Sequence, residues 1–277
     1  MKKIMLAVVV LLFAGVISAS AQTRKLVKLW ETDSLLKVPE SVLLDVDNKV
    51  LYVSNIDGQP WDKDGKGSIG KVGLDGKIIQ GDWVTGLNAP KGLGLYKNKL
   101  YVADYDEVVV VDITKGTITD RIAVPAAQGL NDLTIDNSGT VYVSDSRAMK
   151  VYKLVNDKPT LHLENLQGPN GVLWHNNQLY VLDKGGLYRV GSDKALTKLA
   201  DGMEGGTDGV ENVQGNDFIV SCWQGSIWYV NGDGCKENLL DTRAQGMNTA
   251  DIDYDADKKI VYVPTFWKKS IIAYQLQ

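Results

Sequence analysis

The chain is poor in the residues that zinc sites, disulfide frameworks and nucleic-acid surfaces require. Its 277 residues include 2 histidines and 2 cysteines, and 30 Lys and Arg against 34 Asp and Glu give a net charge of −4 without any basic run. Mixed charges of this kind do not predict a nucleic-acid partner. Cys222 and Cys235 lie too far apart across a predicted hairpin for a disulfide, so both are expected to stay reduced. His175 in a predicted hairpin and His162 on a predicted outer strand are interpreted as structural, which argues against zinc.

Long apolar runs are also missing beyond the N-terminus. Residues 4–17 are apolar, follow Lys2 and Lys3, and precede the small residues Ala19, Ser20 and Ala21. This order is typical of a secretory signal peptide, and the run is shorter than the roughly 20 residues of a membrane span. We therefore predict a signal peptide over residues 1–21, one domain over residues 22–277, and a periplasmic or secreted protein without a stable membrane anchor.

Helical periodicity is scarce, and a different repeat takes its place. A short apolar triplet recurs six times at intervals of 38 to 49 residues. Its central residues are Tyr52, Tyr101, Tyr142, Tyr180, Ile219 and Tyr262. The interval matches one four-stranded propeller blade, and turn residues separate four short alternating segments within each repeat. We predict an all-β fold, a six-bladed β-propeller with four antiparallel strands per blade, without a helix of consequence.

The two ends of the chain predict how the ring closes. The last repeat supplies three strands, over residues 248–254, 260–264 and 270–275, whereas residues 25–31 precede the first blade and have no blade of their own. The N-terminal strand is therefore expected to complete the last blade. This pairing removes two open sheet edges, which would otherwise be exposed.

A polar residue keeps phase with the triplet and stands 10 to 14 positions before it. The six residues are Glu40, Lys91, Asn131, Asn170, Asp208 and Asn248. One fixed point in every blade falls on a ring around the propeller axis. Calcium takes six to eight oxygen ligands from carboxylates, amides and water. The ring offers two carboxylates and three amides, and four of these residues are the candidate ligands: Glu40, Asn131, Asn170 and Asp208. Two interpretations stay open, because polar residues also line water-filled channels and the Lys91 ammonium would compete with a cation for the same space.

The loops between second and third strands open on the same face as the ring. They carry aromatic and charged residues that suit a small cyclic or sugar-like ligand. With Lys91 and Asn248 of the ring, the candidate substrate contacts are Trp61, Tyr105, Arg147, Lys184, Trp223 and Trp267. The longest interval reflects an insertion at residues 56–67. Its Asp-Lys-Asp-Gly segment is interpreted as a polar turn, because Gly73 stands where an EF-hand has its final Glu.

Four short motifs carry a resemblance to a known family. They are Pro-Glu-Ser at 39–41, Gly-Leu-Asn-Asp at 129–132, Pro-Asn-Gly at 169–171 and Thr-Asp-Gly at 207–209. In this order the chain resembles the senescence-marker-protein/gluconolactonase (regucalcin-like) six-bladed propellers and, more distantly, the paraoxonases. The resemblance implies that Glu40, Asn131, Asn170 and Asp208 hold Ca²⁺ or a similar divalent cation. It also implies hydrolysis of a lactone or related ester, with Asp208 or Glu40 accepting a proton and Asn131 orienting the substrate.

The resemblance does not identify the substrate. Gly129 stands where the regucalcin branch has a substrate-contacting arginine, and the histidine pair of the paraoxonases has no counterpart. The expected partner is a small molecule, such as a lactone or sugar derivative, bound by a monomer. The alternative is a non-catalytic, NHL-like propeller that binds a carbohydrate, peptide or protein at its rim, because one propeller scaffold serves both kinds of function.

Overall fold

The computed structural model describes residues 24–277, and the predicted signal peptide lies outside these residues. The described chain forms six sheets of four antiparallel strands each. None of its helices combines the length and the apolar character that a membrane span requires. Two single-turn 3₁₀-helices, Arg243–Gln245 and Phe266–Lys268, interrupt the β-structure.

The strands are numbered along the chain, and each blade is given from the channel outwards. Blade 1 has β2 (Pro39–Asp45), β3 (Val50–Asn55), β4 (Gly67–Gly73) and β5 (Ile78–Leu87). Blade 2 has β6 (Pro90–Tyr96), β7 (Lys99–Asp104), β8 (Glu107–Asp112) and β9 (Thr117–Ala123). Blade 3 has β10 (Leu130–Ile135), β11 (Val141–Asp145), β12 (Lys150–Val155) and β13 (Lys158–Leu163).

The remaining blades repeat the pattern, and the last one takes its outer strand from the N-terminal side. Blade 4 has β14 (Pro169–His175), β15 (Gln178–Asp183), β16 (Gly186–Val190) and β17 (Leu196–Ala200). Blade 5 has β18 (Thr207–Gln214), β19 (Asp217–Cys222), β20 (Ser226–Val230) and β21 (Lys236–Asp241). Blade 6 has β22 (Asp253–Asp255), β23 (Ile260–Pro264), β24 (Ile271–Leu276) and β1 (Leu26–Glu31).

The six innermost strands contact one another in sequence, and β22 contacts β2 to complete the ring. β1 pairs antiparallel with β24, with Leu26 opposite Leu276. The predicted six-bladed propeller and its closure by the N-terminal strand are therefore confirmed. Pairing of the two terminal strands leaves the last blade with the same four-stranded width as the others.

The core consists of apolar layers between neighbouring blades. Tyr52 of β3, for example, packs with Leu100 and Val102 of β7 in the next blade. Tyr52 and Tyr262 are each about 1% exposed, because the second strand of a blade is covered on both faces. Burial of each large side chain contributes about 1.5–3 kcal/mol. This explains why the repeated triplet is apolar throughout instead of alternating.

One predicted strand is wrong in its extent. The innermost strand of blade 6 was expected over residues 248–254, whereas β22 is Asp253–Asp255 only. The preceding residues have other partners: the Thr249 hydroxyl donates to the carbonyls of Cys222 and Ser226 in blade 5, and the Asp251 N–H donates to the Glu40 carbonyl in blade 1. Cys222 is buried, Cys235 is exposed, and the two thiols are not joined.

Candidate functional site

The in-phase polar residues lie at the start of the innermost strands. In five blades the residue is the second of its strand: Glu40 in β2, Lys91 in β6, Asn131 in β10, Asn170 in β14 and Asp208 in β18. In each of these blades the register of pairing with the next strand shifts at this point. A β-bulge redirects the side chains of the bulged strand. The bulges therefore explain how residues on five different blades turn toward one centre.

These five residues line a cavity of about 520 Å³ at one end of the channel, called the mouth cavity here. Its walls include Trp61, Lys184, Trp223 and Phe266. The sixth in-phase residue, Asn248, is not among the lining residues. Its amide Nδ2 donates to the backbone carbonyl of Trp223 at 2.8 Å, so it supports a wall of the cavity from behind.

Three oxygens of the mouth cavity are buried without any hydrogen-bond partner in the described chain. They are Glu40 Oε2, Asn170 Oδ1 and Asp208 Oδ2. A buried polar group without a partner costs about 1–3 kcal/mol, and more where it is charged. Three such oxygens at one cavity fit a hard cation, which prefers carboxylate and amide oxygens.

Hydrogen bonds hold the two amides of the cavity in fixed orientations. Asn170 Nδ2 donates to Asp208 Oδ1 at 2.7 Å, which leaves Asn170 Oδ1 and Asp208 Oδ2 as the unpaired ends. Asn131 Nδ2 donates to the Ser146 hydroxyl at 2.9 Å, and that hydroxyl donates to the Pro169 carbonyl at 2.6 Å. Each amide nitrogen thus donates to an acceptor of the protein, and each amide oxygen points away from that acceptor.

The pKa values of the two carboxyl groups reflect their burial. Burial raises the pKa of Glu40 well above its usual range, and Asp208 and Asp251 raise it further while Lys91 opposes the shift. Burial raises the pKa of Asp208 to about 7, against the hydrogen bond from Asn170 and the charge of Lys91. A cation bound between the two carboxylates would favour their charged forms and so lower both pKa values.

The Lys91 ammonium is bonded to two backbone carbonyls and faces an aromatic ring. Its Nζ donates to the backbone carbonyls of Pro60 at 2.6 Å and Ala89 at 3.2 Å, and lies 4.4 Å from the ring centroid of Trp61. Burial lowers the pKa of Lys91, and Glu40 is the largest influence that opposes this shift. Lys91 is 2% exposed and belongs to the wall of the cavity.

The predicted rim residues divide into two groups. Trp61, Lys184 and Trp223 line the mouth cavity. Tyr105, Arg147 and Trp267 are not among the residues that line it. Lys63 Nζ lies 5.8 Å above the Tyr105 ring, Arg147 lies 5.9 Å from the Trp61 ring, and the 45% exposed Trp267 packs edge-to-face on Phe266.

Sequence reasoning missed Phe266, which packs edge-to-face between Trp223 and Trp267. It has a positive φ of 50°, which is rare for a bulky residue and is found at functional or strained sites. Its place in the same loop as Trp267 was the available signal. No local pattern of residues indicates which of the two neighbouring rings turns inward.

Gly129 has a structural reason to be glycine. A Cβ atom there would lie 2.7 Å from the Arg147 side chain and 2.8 Å from the Trp61 ring. The space beside Gly129 is filled by the aliphatic part of Arg147, which comes from a different loop.

A second, smaller cavity of about 180 Å³ continues along the channel and is called the channel cavity. Its carboxyl groups are Asp132, Glu211, Asp251 and Asp253. Asp132 accepts hydrogen bonds from the backbone N–H groups of Leu133 and Val172, each at 2.7 Å. Asp251 accepts one from the Ser41 hydroxyl at 2.6 Å. These acids connect neighbouring blades.

Metal ligands of other types do not collect in the described chain. Residues 24–277 contain no cluster of three or more His, Cys, Asp and Glu side chains that would hold a metal. The candidate ligands of the mouth cavity are two carboxylates and two amides. Neither His162 nor His175 lines either cavity.

No family model matches the chain, and no curated protein matches its sequence. Several solved structures are similar in fold. One is a structural-genomics target provisionally named a gluconolactonase, at 13% identity, 92% coverage of both chains and a TM-score of 0.69. Another is a catalytically inactive histidine-to-alanine variant of virginiamycin B lyase from Staphylococcus aureus with quinupristin, at 13% identity, 92% and 99% coverage and a TM-score of 0.64.

A nidogen/laminin complex is also similar, at 19% identity, with 71% of this chain and 76% of that chain covered and a TM-score of 0.60. These neighbours differ in activity: a lyase, a gluconolactonase by provisional name, and a protein–protein complex. At such identities the likeness shows the fold alone. The chain is a six-bladed β-propeller with a gluconolactonase-like propeller among its structural neighbours.

Proposed function

We propose that this chain is a calcium-dependent or similar divalent-cation-dependent hydrolase of a lactone or related ester. The observation that carries the proposal is the set of three buried, unpartnered oxygens at one cavity, on Glu40, Asn170 and Asp208. The four in-phase motifs and the gluconolactonase-like neighbour support the same choice. The mouth cavity, at about 520 Å³, has the size of a small-molecule site.

The donor set fits a hard cation, with Glu40, Asn131, Asn170 and Asp208 as the residues that would hold it. When bound, the cation would supply Lewis acidity toward the carbonyl oxygen of a cyclic ester. Asn131 would orient the substrate. Asp208, or Glu40 when less tightly held, would accept a proton from the attacking water and return it to the alkoxide as the ring C–O bond breaks. Trp61 and Trp223 supply aromatic walls beside this step.

The test is thermal unfolding of the mature chain with excess EDTA, followed by added calcium. A ligand that binds only the folded state stabilises it by about 2.7 kcal/mol at a hundredfold excess over Kd. A panel of lactones, followed by base uptake at constant pH, then measures turnover. Absence of both a calcium-dependent shift and turnover would refute the hydrolase proposal.

A binding propeller without catalysis is the second candidate. The observation in its favour is Trp267, a large aromatic side chain that is 45% exposed at the rim. The nidogen/laminin neighbour shows that a similar fold occurs in a protein complex. Glycan-array binding that is lost in Trp267→Ala, without calcium dependence or turnover, would favour this candidate.

A lyase of the virginiamycin B type is not proposed. The similar structure is described as catalytically inactive after a histidine-to-alanine substitution. Neither His162 nor His175 lines the mouth cavity, so the described chain places no imidazole there. Its candidate chemical groups are carboxylates and amides instead.

A further inference from the structure

The insertion at residues 56–67 is the largest departure from the regular blade, and it extends over the mouth cavity. It leaves blade 1 after β3 and returns to it at β4. Pro60 and Trp61 line the cavity, whereas residues 62–66 are exposed. A single exposed loop therefore contributes part of the wall of the candidate site.

The strongest contact of the insertion is with Lys91 of blade 2. The buried Lys91 Nζ donates to the Pro60 carbonyl at 2.6 Å and faces the Trp61 ring at 4.4 Å. An ammonium that is removed from water needs such partners, and hydrogen bonds from a charged donor are stronger than neutral ones. The cation–π contact adds to the stabilisation where the ring is shielded from water.

Further contacts hold the rest of the insertion, whose first residues also bond to the segment before β2. Lys63 pairs with Asp106 at 2.7 Å, at the turn between β7 and β8. The edge of Trp61 lies against Arg147 above Gly129 on blade 3. The insertion thus bridges from blade 1 to blades 2 and 3, and Lys91 is the only deeply buried charged side chain among these contacts.

We propose that Lys91 is a positioning residue that holds residues 56–67 over the mouth cavity, so that Trp61 forms a wall that selects which substrates fit. The anchoring is independent of the reaction, whereas the selection of substrates rests on the proposed hydrolase function. The proposal also explains why blade 2 carries an ammonium where the other blades carry oxygens. Its ammonium donates to the Pro60 carbonyl of the insertion.

The test compares Lys91→Met, which keeps the length of the side chain and removes its donors, with wild type. Hydrogen exchange followed by mass spectrometry is expected to accelerate roughly tenfold or more in peptides that cover residues 56–66, because a charged hydrogen bond is lost. With the lactone of the panel that wild type hydrolyses fastest, KM is expected to rise about tenfold while kcat changes less than about threefold. Calcium affinity, titrated by thermal shift, is expected to stay equal or to increase.

The matched control is Lys99→Met, the same change at an exposed lysine of the same blade, which is expected to leave all three readouts unchanged. Asp106→Asn removes the exposed ion pair with Lys63 and is expected to accelerate exchange by roughly two- to fivefold, which tests the anchoring even if Lys91→Met does not fold.

Unchanged exchange in both variants would overturn the anchoring. Faster exchange with unchanged KM would overturn the selection of substrates. If wild type neither binds calcium nor turns over a lactone, the hydrolase proposal fails, and the exchange data still decide whether Lys91 anchors the insertion.

Discussion

The mouth cavity and the channel cavity are both acidic and both buried, yet their carboxyl groups are used differently. In the channel cavity, Asp132 and Asp251 accept hydrogen bonds from backbone N–H groups or a hydroxyl. In the mouth cavity, one oxygen each of Glu40 and Asp208 has no partner within the described chain. The difference indicates that the channel acids stabilise the fold and the mouth acids are available to a ligand.

Neighbouring residues in the sequence illustrate the contrast. Asn131 faces the mouth cavity, and Asp132, the next residue, bonds to Val172 in the adjacent blade. The β-bulge at the start of β10 redirects the side chains there, so that Asn131 faces the cavity and Asp132 faces the next blade. Acidity alone therefore does not identify a site, and the mouth cavity differs from the channel cavity in its buried carboxylate oxygens without a partner.

The largest expected effect is that of Asp208→Ala in the mouth cavity. It removes a cation ligand and the preferred proton acceptor, so the calcium-dependent thermal shift is expected to disappear. Turnover is expected to fall by roughly 100- to 10,000-fold, the range for loss of a general base. The measurements are thermal unfolding with EDTA and calcium, and lactone hydrolysis at constant pH.

The matched control is Ser41→Ala, which removes the hydrogen bond to Asp251 in the channel cavity. The free energy of unfolding is expected to fall by about 1–3 kcal/mol, with the calcium shift retained. A variant of Asp208 that keeps full activity, or a loss of the calcium shift in Ser41→Ala, would remove the distinction between the two cavities.

The next largest effect is expected for Asp132→Ala in the channel cavity. This change leaves the buried N–H groups of Leu133 and Val172 without an acceptor. The free energy of unfolding is expected to fall by about 2–4 kcal/mol, since each unpaired donor costs about 1–3 kcal/mol. Urea denaturation measures the change, and Asp120→Ala, an exposed residue of β9, is the control. Equal stability of the two variants would contradict a structural role for Asp132.

The pH dependence of stability tests the channel cavity in another way. Burial raises the pKa of Asp253 to about 6, against hydrogen bonds from the N–H groups of Leu44 and Tyr254. The folded state therefore retains a proton that the unfolded state loses, so stability falls as pH rises from roughly 4 to 6. Asp253→Asn is expected to reduce this fall by about 1–3 kcal/mol. Urea denaturation at several pH values measures it, and identical slopes in both proteins would contradict the assignment.

The smallest effect is expected for Gly129→Ala beside the mouth cavity. The new methyl group would displace Arg147 and Trp61, which lie within 2.8 Å of its position. Because both side chains are able to shift, the expected cost is about 1 kcal/mol, with KM raised up to about fivefold. Gly81→Ala is the control, since nothing lies within 4 Å of its added methyl group. An unaltered KM would place Arg147 and Trp61 outside the substrate path.

Much of the fold was predictable because the signal repeats. All six apolar triplets lie in the same environment, a second strand that is covered on both faces. Each repeat therefore supports the prediction made from the others. The exception was the innermost strand of blade 6. There the Thr249 hydroxyl bonds to carbonyls of blade 5, a tertiary contact that no local pattern of residues contains.

The candidate site was predictable in part for the same reason. The common spacing from the apolar triplet placed five of the six polar residues at one cavity. Only Asn248 turns away, to bond with Trp223. Phase gives the position of a residue in a blade but not the direction of a long side chain. The structure alone showed that Lys91 turns to the Pro60 carbonyl and that Phe266 turns inward.

The order and spacing of residues by themselves determined the number of blades, the closure of the ring and the blade position from which each polar side chain starts, because these features depend on periodicity along the chain. The tertiary structure decided which oxygens of those side chains lack a partner and where the ammonium of Lys91 is directed. Hydrogen bonding between blades involves residues far apart in sequence, and only the packed ring brings such groups within a few ångströms of one another.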